Sequence, residues 1–248
     1  MNIFLAIIVL IGVAMIAIEL RSPARKWPEV SGWWGRALLF NGIQVAAVVA
    51  AGLYWDNWFI ENRPWSLDGI GPVWGGLLAY FVLTFFYYWW HRFRHASPVL
   101  WRWLHQLHHS PQRLEIVTSF YKHPLEIFTN SILSSVVVYF VVGVGPEAAA
   151  YAMLLSALAE FFYHWNVKTP HWIGYFIQRP ESHCVHHERG IHQLNYGDLP
   201  IWDMLFGTFY NPREWESECG FEPHQESDLV SMLLGRDVQG APLEGAAK

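Results

Sequence analysis

Residues 91–109 read HRFRHASPVLWRWLHQLHH. Five histidines, His91, His95, His105, His108 and His109, follow directly on an apolar run that ends Tyr87-Tyr88-Trp89-Trp90. A second cluster, His183-Cys184-Val185-His186-His187, repeats the spacing of the last five residues of that stretch. Histidines this dense beside a bilayer-grade hydrophobic segment point to a pair of metal ions held at a membrane face. On a helix, residues at i and i+4 or i+3 share a face with Cβ atoms about 5–6 Å apart. His91 and His95 can therefore converge on one ion. His105 meets both His108 and His109, and the adjacent pair points about 100° apart, so one helix can serve two ions.

Composition agrees with a membrane setting. Apolar residues make up 53% of the 248, aromatics 17% and charged residues 15%, against about 45–50% apolar and 25% charged in soluble domains. The net charge of -5 argues against a nucleic-acid partner, and the acids gather after Pro212, as expected of a solvated tail. Cys184 and Cys219 form neither a CxxC pair nor a disulfide framework. Cys184 reads as a small space-filling thiol rather than a ligand.

About 20 residues at 1.5 Å rise cross a ~30 Å hydrocarbon core. Residues 2–20, 37–55, 72–90, 125–142 and 147–165 satisfy that length, which predicts four to five transmembrane helices in an all-α fold, the first of them open to being a loosely attached extra helix. There is no A-x-A-like cleavage site before Arg21, so the first segment reads as an anchor. The loops on the histidine side carry Arg21, Arg25, Lys26, Arg36, Arg92, Arg94, Arg102, Arg113 and Lys122, while the opposite side carries Arg63. The positive-inside rule then puts the histidine face in the cytoplasm.

All-imidazole ligation suits zinc, copper, iron or nickel. Eight or nine histidines exceed what one ion holds, and a pair of ions without a carboxylate-rich shell suits iron acting on dioxygen better than zinc activating water. A zinc-dependent membrane hydrolase stays open as an alternative. So does a non-enzymatic metal or haem protein, though that would spread its histidines across the bilayer depth. His187-Glu-Arg-Gly-Ile-His192 has one residue too many for the HExxH of zinc proteases, and Arg189-Gly190 interrupts a helix there. His171 and His224 read as hydrogen-bonded interfacial side chains, and His192 as a surface histidine or else an extra ligand.

The order HX3H (His91, His95), HX2HH (His105, His108, His109) and HX2HH (His183, His186, His187) resembles the fatty acid hydroxylase and sterol desaturase superfamily of integral-membrane di-iron enzymes. Lys122-His-Pro-Leu-Glu126, Tyr163-His-Trp-Asn-Val167, Asn195-Tyr-Gly197 and residues 199–208 (LPIWDMLFGT) carry the same likeness, which covers residues 71–212. The resemblance implies membrane helices under a cytosolic helical cap that seats two irons. It implies the eight box histidines as ligands, with His164 as the ninth. His123 would be a neighbour of the ligands or a structural residue. Glu160, Asn166 and Asp203 are candidates to support them, Glu160 by holding the second ring nitrogen of a ligand such as His164. Residues 1–70 then form N-terminal membrane helices, 71–212 the catalytic unit and 213–248 an acidic tail. The implied reaction uses O2 and hydroxylates or desaturates a C–H bond of a membrane lipid: a fatty acyl chain, a sterol or another lipid. No redox segment is present in the sequence, so a separate electron-transfer protein or a small reductant such as a pterin is expected. Phe81, Phe85, Phe86 and Tyr88 are candidates to line a lipid path.

Overall fold

A computed structural model describes residues 3–239. Among them the fold is helical, with one isolated bridge between Glu188 and Cys219 and no strand. Eight helical segments position the site: α1 (Ile3–Arg21), α2 (Trp33–Tyr54), α3 (Pro72–Ala96), α4 (residues 98–109), α5 (Pro124–Val142), α6 (Pro146–His164), α7 (Pro180–His186) and α8 (Pro200–Phe206). Six of the eight, α3, α4, α5, α6, α7 and α8, open on a proline in the first turn. There the missing N–H has no intrahelical partner to lose and the fixed φ suits the helix.

Four helices, α1, α2, α3 and α5, are long and apolar enough to cross a membrane. The fifth expected span is a helix, α6, yet it falls short on apolarity. Glu147, Glu160 and His164 dilute it, and its packing explains why that is tolerated. No other pair of helices touches as extensively as α3 and α6. Gly75, Gly76 and Ala79 face Ala148, Ala149 and Ala152, so the backbones approach closely, as small residues permit in membrane bundles. A Cβ at Gly76 would lie 2.4 Å from Tyr151 Cβ.

The first helix is firmly attached. The buried carboxylate of Glu19 accepts from the backbone N–H groups of Ile116 and Asn166 at 3.2 and 2.8 Å, and Trp165 Nε1 donates to Met15 O at 3.0 Å. These contacts gather the C-terminus of α1, the turn at Ile116–Thr118 between α4 and α5, and the C-terminus of α6 at one end of the bundle, where the histidines lie. At the other end Leu67 N donates to Gly143 O at 2.9 Å. Gly143 itself sits at φ 78°, with Trp65 where a Cβ would go.

The expectation of a solvated acidic tail holds for most of its acids but not for its apolar residues in 213–239. Trp215, Cys219, Phe221, Glu226 and Met232 are buried. Phe221 and Met232 join Trp33, Trp101, Leu107 and Tyr121 in the core of the cap. Glu226 accepts from Gln112 Nε2 at 2.7 Å and from Arg36 at 3.2 Å. The tail packs on the helical cap through its apolar residues and Glu226, while Glu214, Glu216, Glu218, Glu222 and Asp228 stay exposed. The tail beyond residue 239 lies outside the described residues.

Candidate metal centre

Nine histidines come together in two groups at the junction of bundle and cap. His91, His95, His105, His109 and His186 form the first, His108, His164, His183 and His187 the second, and within each group one ring nitrogen per residue lies within 4.8 Å of the others. The helices explain the division. α4 sends His105 and His109, one turn apart, to the first group and His108 to the second. α7 reverses this, with His183 and His187 in the second group and His186 in the first. α3 adds His91 and His95, and α6 ends on His164. A wider π turn over Trp101–His105 inserts into α4 just before the histidines, a local insertion of the kind common at functional sites.

The nitrogens stand at distances that favour a shared cation. His183 Nε2 is 3.1 Å from both His164 Nε2 and His187 Nε2, His186 Nε2 is 2.9 Å from His91 Nε2, and His109 Nε2 is 3.2 Å from His105 Nε2. A neutral imidazole nitrogen carries either one proton or one lone pair, so hydrogen bonding alone satisfies only one of the two contacts of His183. An ion with nitrogen ligands at about 2.1 Å would hold adjacent donors roughly 3.0–3.4 Å apart. The donor set therefore fits a metal ion in each group. Burial pushes His105, His108, His109, His183 and His187 well below the ordinary histidine range and His186 down to about 3, with neighbouring imidazoles acting in the same direction on most of them. The rings are neutral, the form that binds metals.

Backbone carbonyls and a carboxylate orient the rings from outside. His91 Nδ1 meets Tyr196 O at 2.8 Å, His186 Nδ1 meets Leu194 O at 2.6 Å and His164 Nδ1 meets Glu160 O at 2.8 Å. His105 Nδ1 lies 3.1 Å from Glu126 Oε1, which also pairs with Arg94. Glu126 and Arg94 were not among the residues singled out from the sequence. The signal was an ionisable side chain one turn into the apolar fourth span, a costly position usually kept for a purpose.

The four supporting candidates read from the sequence take distinct places. Glu160 does hold His164, but through its carbonyl; its carboxylate is paired with Lys122. His123 caps α5, accepting from Leu125 N at 3.1 Å and reaching Leu233 O at 3.2 Å, and touches no ligand candidate. Asn166 exchanges hydrogen bonds with the backbone of Arg25 and so ties α6 to the end of α1. Asp203 acts one step removed. It accepts from Tyr196 N at 2.8 Å, Gly197 N at 2.9 Å and Thr208 Oγ1 at 2.7 Å, and so fixes the peptide whose carbonyl meets His91. Burial raises its carboxyl to about 6 against the pull of those donors.

His192 is not a surface residue. Its Nδ1 lies 3.1 Å from His109 Nδ1, and its ring contacts Trp101 and Phe221. Cys184 is buried against Leu114, Val185 and Trp215. His171 meets Asn211 O at 3.1 Å, and His224 is exposed. Of the aromatics on α3, Phe81 and Phe85 pack on Trp202 of α8 at 5.1 and 5.0 Å. Tyr88 is wholly buried, stacked on Phe206 and hydrogen-bonded to Thr208 at 3.0 Å, which makes it a packing residue rather than part of a path.

The sequence profile of the fatty acid hydroxylase family matches residues 76–208, more than half of the chain and all nine histidines. The chain belongs to this family. Among curated proteins it is similar to alkylglycerol monooxygenase of Homo sapiens, with 30% identity over 177 residues, 70% of this chain and 37% of that protein. It is also similar to an ornithine lipid hydroxylase of Rhizobium tropici, 29% identical over 189 residues, 69% of this chain and 54% of that one. A sphingolipid C4-hydroxylase of Schizosaccharomyces pombe is 26% identical over 162 residues, 64% of this chain and 54% of the relative. The chain thus spans little more than a third of the monooxygenases it matches and about half of the other two. No solved structure matches it. Its family is that of the fatty acid hydroxylases, and four of its helices are long and apolar enough to cross a membrane.

Proposed function

We propose that the chain is a di-iron, O2-dependent oxygenase that hydroxylates a C–H bond of a membrane lipid, with the nine histidines as ligands and residues 71–212 as the catalytic unit. The observation that carries this reading is the reciprocal sharing of α4 and α7 between two imidazole groups. Five donors in the first group exceed the four that a tetrahedral zinc site takes, which favours iron over the zinc-hydrolase alternative. Two iron ions bound there would supply the activation of dioxygen. The chain's own residues do the rest. The carbonyls of Tyr196, Leu194 and Glu160 and the carboxylate of Glu126 hold four of the nine rings, those of His91, His186, His164 and His105, in the orientation their groups require. The cap core and the tail exclude water from above, and the aromatic seam of α3 and α8 offers an apolar approach from the bilayer side. The relatives act on ether, sphingo- and ornithine lipids by name, and a lipid of this broad class is the proposed substrate. The reading places the histidine face in the cytoplasm, where a separate electron-transfer protein or a small reductant can reach it.

Lipid mass spectrometry of cells with and without the gene tests the reaction. A gene-dependent lipid heavier by one oxygen atom, lost with His108→Ala, is expected. A product lighter by two hydrogens would make it a desaturase, and turnover without dioxygen would exclude an oxygenase.

A further inference from the structure

One histidine that touches the site belongs to neither of the two groups. His192 lies in the loop after α7, at φ 47°, in a left-handed conformation that non-glycine residues rarely adopt. The loop is closed around it by Arg189 N to Glu218 O at 2.9 Å on one side and Asn195 N to Thr208 O at 2.9 Å on the other. Trp101 and Phe221 pack on its ring, with centroids 5.6 and 6.0 Å away, and the ring stands nearly perpendicular to that of His109. Its Nδ1 is 3.1 Å from His109 Nδ1, and its Nε2 is buried without a partner.

Two facing Nδ1 atoms at this distance need one proton between them. His109 turns its Nε2 toward His105 Nε2, 3.2 Å away within the first group. A metal there needs the lone pair of that Nε2, so the single proton of the neutral His109 ring resides on Nδ1. His192 Nδ1 must then accept, and the proton of His192 sits on Nε2. On the reading that the first group binds a metal ion, we propose that His192 is a positioning residue. It accepts the hydrogen bond from His109 Nδ1–H, fixing the tautomer and plane of that ligand and tightening the first metal alone. The other four members of the group are held otherwise or left free on that side: His91 by Tyr196 O, His105 by Glu126 and His186 by Leu194 O. Without His192 the ring of His109 has no such acceptor. The left-handed backbone is the local strain that keeps the acceptor in place.

The experiment uses the full chain, stripped of metal, in lipid nanodiscs, with cobalt(II) as the probe. Binding is followed by the visible absorption of the ion and by equilibrium dialysis. The variants are His192→Phe, which keeps ring volume but cannot accept, and His192→Gln, whose amide oxygen can. Both carry the same backbone strain, so their difference reads the hydrogen bond. The original chain should bind two ions, and His192→Phe should weaken one of them by roughly 10–100-fold. That ion should be the one His109→Ala loses, with the other unchanged. His192→Gln should stay within about threefold of the original, since outer hydrogen-bond partners act through the ligand they orient. Equal affinities for both ions in His192→Phe would overturn the proposal, as would a His192→Gln protein as weak as His192→Phe. A ¹⁵N-histidine spectrum of the zinc-loaded chain gives a second readout, and a proton found on His192 Nδ1 would also overturn it. Failure of the original chain to bind an ion that His109→Ala loses would instead refute the underlying metal assignment.

Discussion

His105 Nδ1 and Glu126 Oε1 stand 3.1 Å apart in a fully buried setting, and the same carboxylate oxygen pairs with Arg94. Helix α3 supplies the arginine, α4 the histidine and α5 the glutamate, so three elements of the bundle and cap meet at one oxygen. Removing the carboxylate therefore strands a buried guanidinium as well as freeing a ligand. Glu126→Ala is expected to cost about 3–5 kcal/mol, the usual penalty for an uncompensated buried charge, and to lower the thermal midpoint in detergent sharply. Glu126→Gln keeps the shape and one acceptor. It should fold and lose iron from the first group about tenfold or more under dialysis. Normal iron retention in a folded Glu126→Gln protein would mean that the carboxylate does not hold His105.

Asp203 reaches the site through the peptide of Tyr196 and Gly197. Asp203→Ala leaves two buried N–H groups without an acceptor, each costing about 1–3 kcal/mol. The protein should melt at lower temperature, and His91 should exchange its metal faster because Tyr196 O is no longer fixed. Asp203→Asn retains one acceptor oxygen and should fall between. A thermal melt monitored by tryptophan fluorescence would separate the three proteins, and an Asp203→Ala melt equal to that of the original chain would contradict the account.

Spacing between α3 and α6 is set by Gly76. A methyl group there would lie 2.4 Å from Tyr151 Cβ and 3.0 Å from Ala148 O. Gly76→Ala should cost about 1–3 kcal/mol by overpacking and should also weaken the metal site, because α3 carries His91 and His95 while α6 carries His164. Gly42 on α2 meets nothing within 4 Å, so Gly42→Ala is the matched control and should be neutral or mildly stabilising. Equal melting of the two variants would show that the close approach is not needed.

Acid should unfold the metal-free cap. The buried histidines of α4 and α7 have folded-state values below the unfolded value of about 6.5, His186 at about 3. The unfolded chain binds more protons below pH about 6.5, so the contribution of these rings is complete above that pH and lost as it falls toward 3. Asp203 and Asp198, raised to about 6 and about 7 by burial, and Glu226, raised by burial as well, work in the opposite direction, but the lowered histidines outnumber them. Melting of the metal-free protein should be level between pH 8 and 7 and decline steeply below about 6.5. A flat profile down to pH 5 would contradict the neutral-imidazole picture.

Much of the centre was legible because imidazole spacing on a helix is a local property. His105, His108 and His109 point where 3.6 residues per turn send them, and the split between two groups follows. What surrounds the ligands was not local. Whether Glu160 offers its carbonyl or its carboxylate to His164 depends on where Lys122 sits, far away in the chain. His123 resembles a ligand in sequence and turns out to cap a helix, because proline follows it and the free N–H lies at Leu125. The acidic tail hid its anchors, since Trp215, Cys219, Phe221 and Met232 follow neither a helical nor a strand period. The fifth span lost its apolar signature to Glu147, Glu160 and His164, and its small residues toward α3 carry the packing instead.

The most direct test of the two-metal centre is elemental analysis of anaerobically purified protein, comparing the original chain with His109→Ala and His183→Ala. Two iron ions per original chain, and one in each variant, are the expected result, because these histidines belong to different groups. A single ion per original chain, two ions retained in either variant, or stoichiometric zinc that supports turnover without dioxygen, would contradict it.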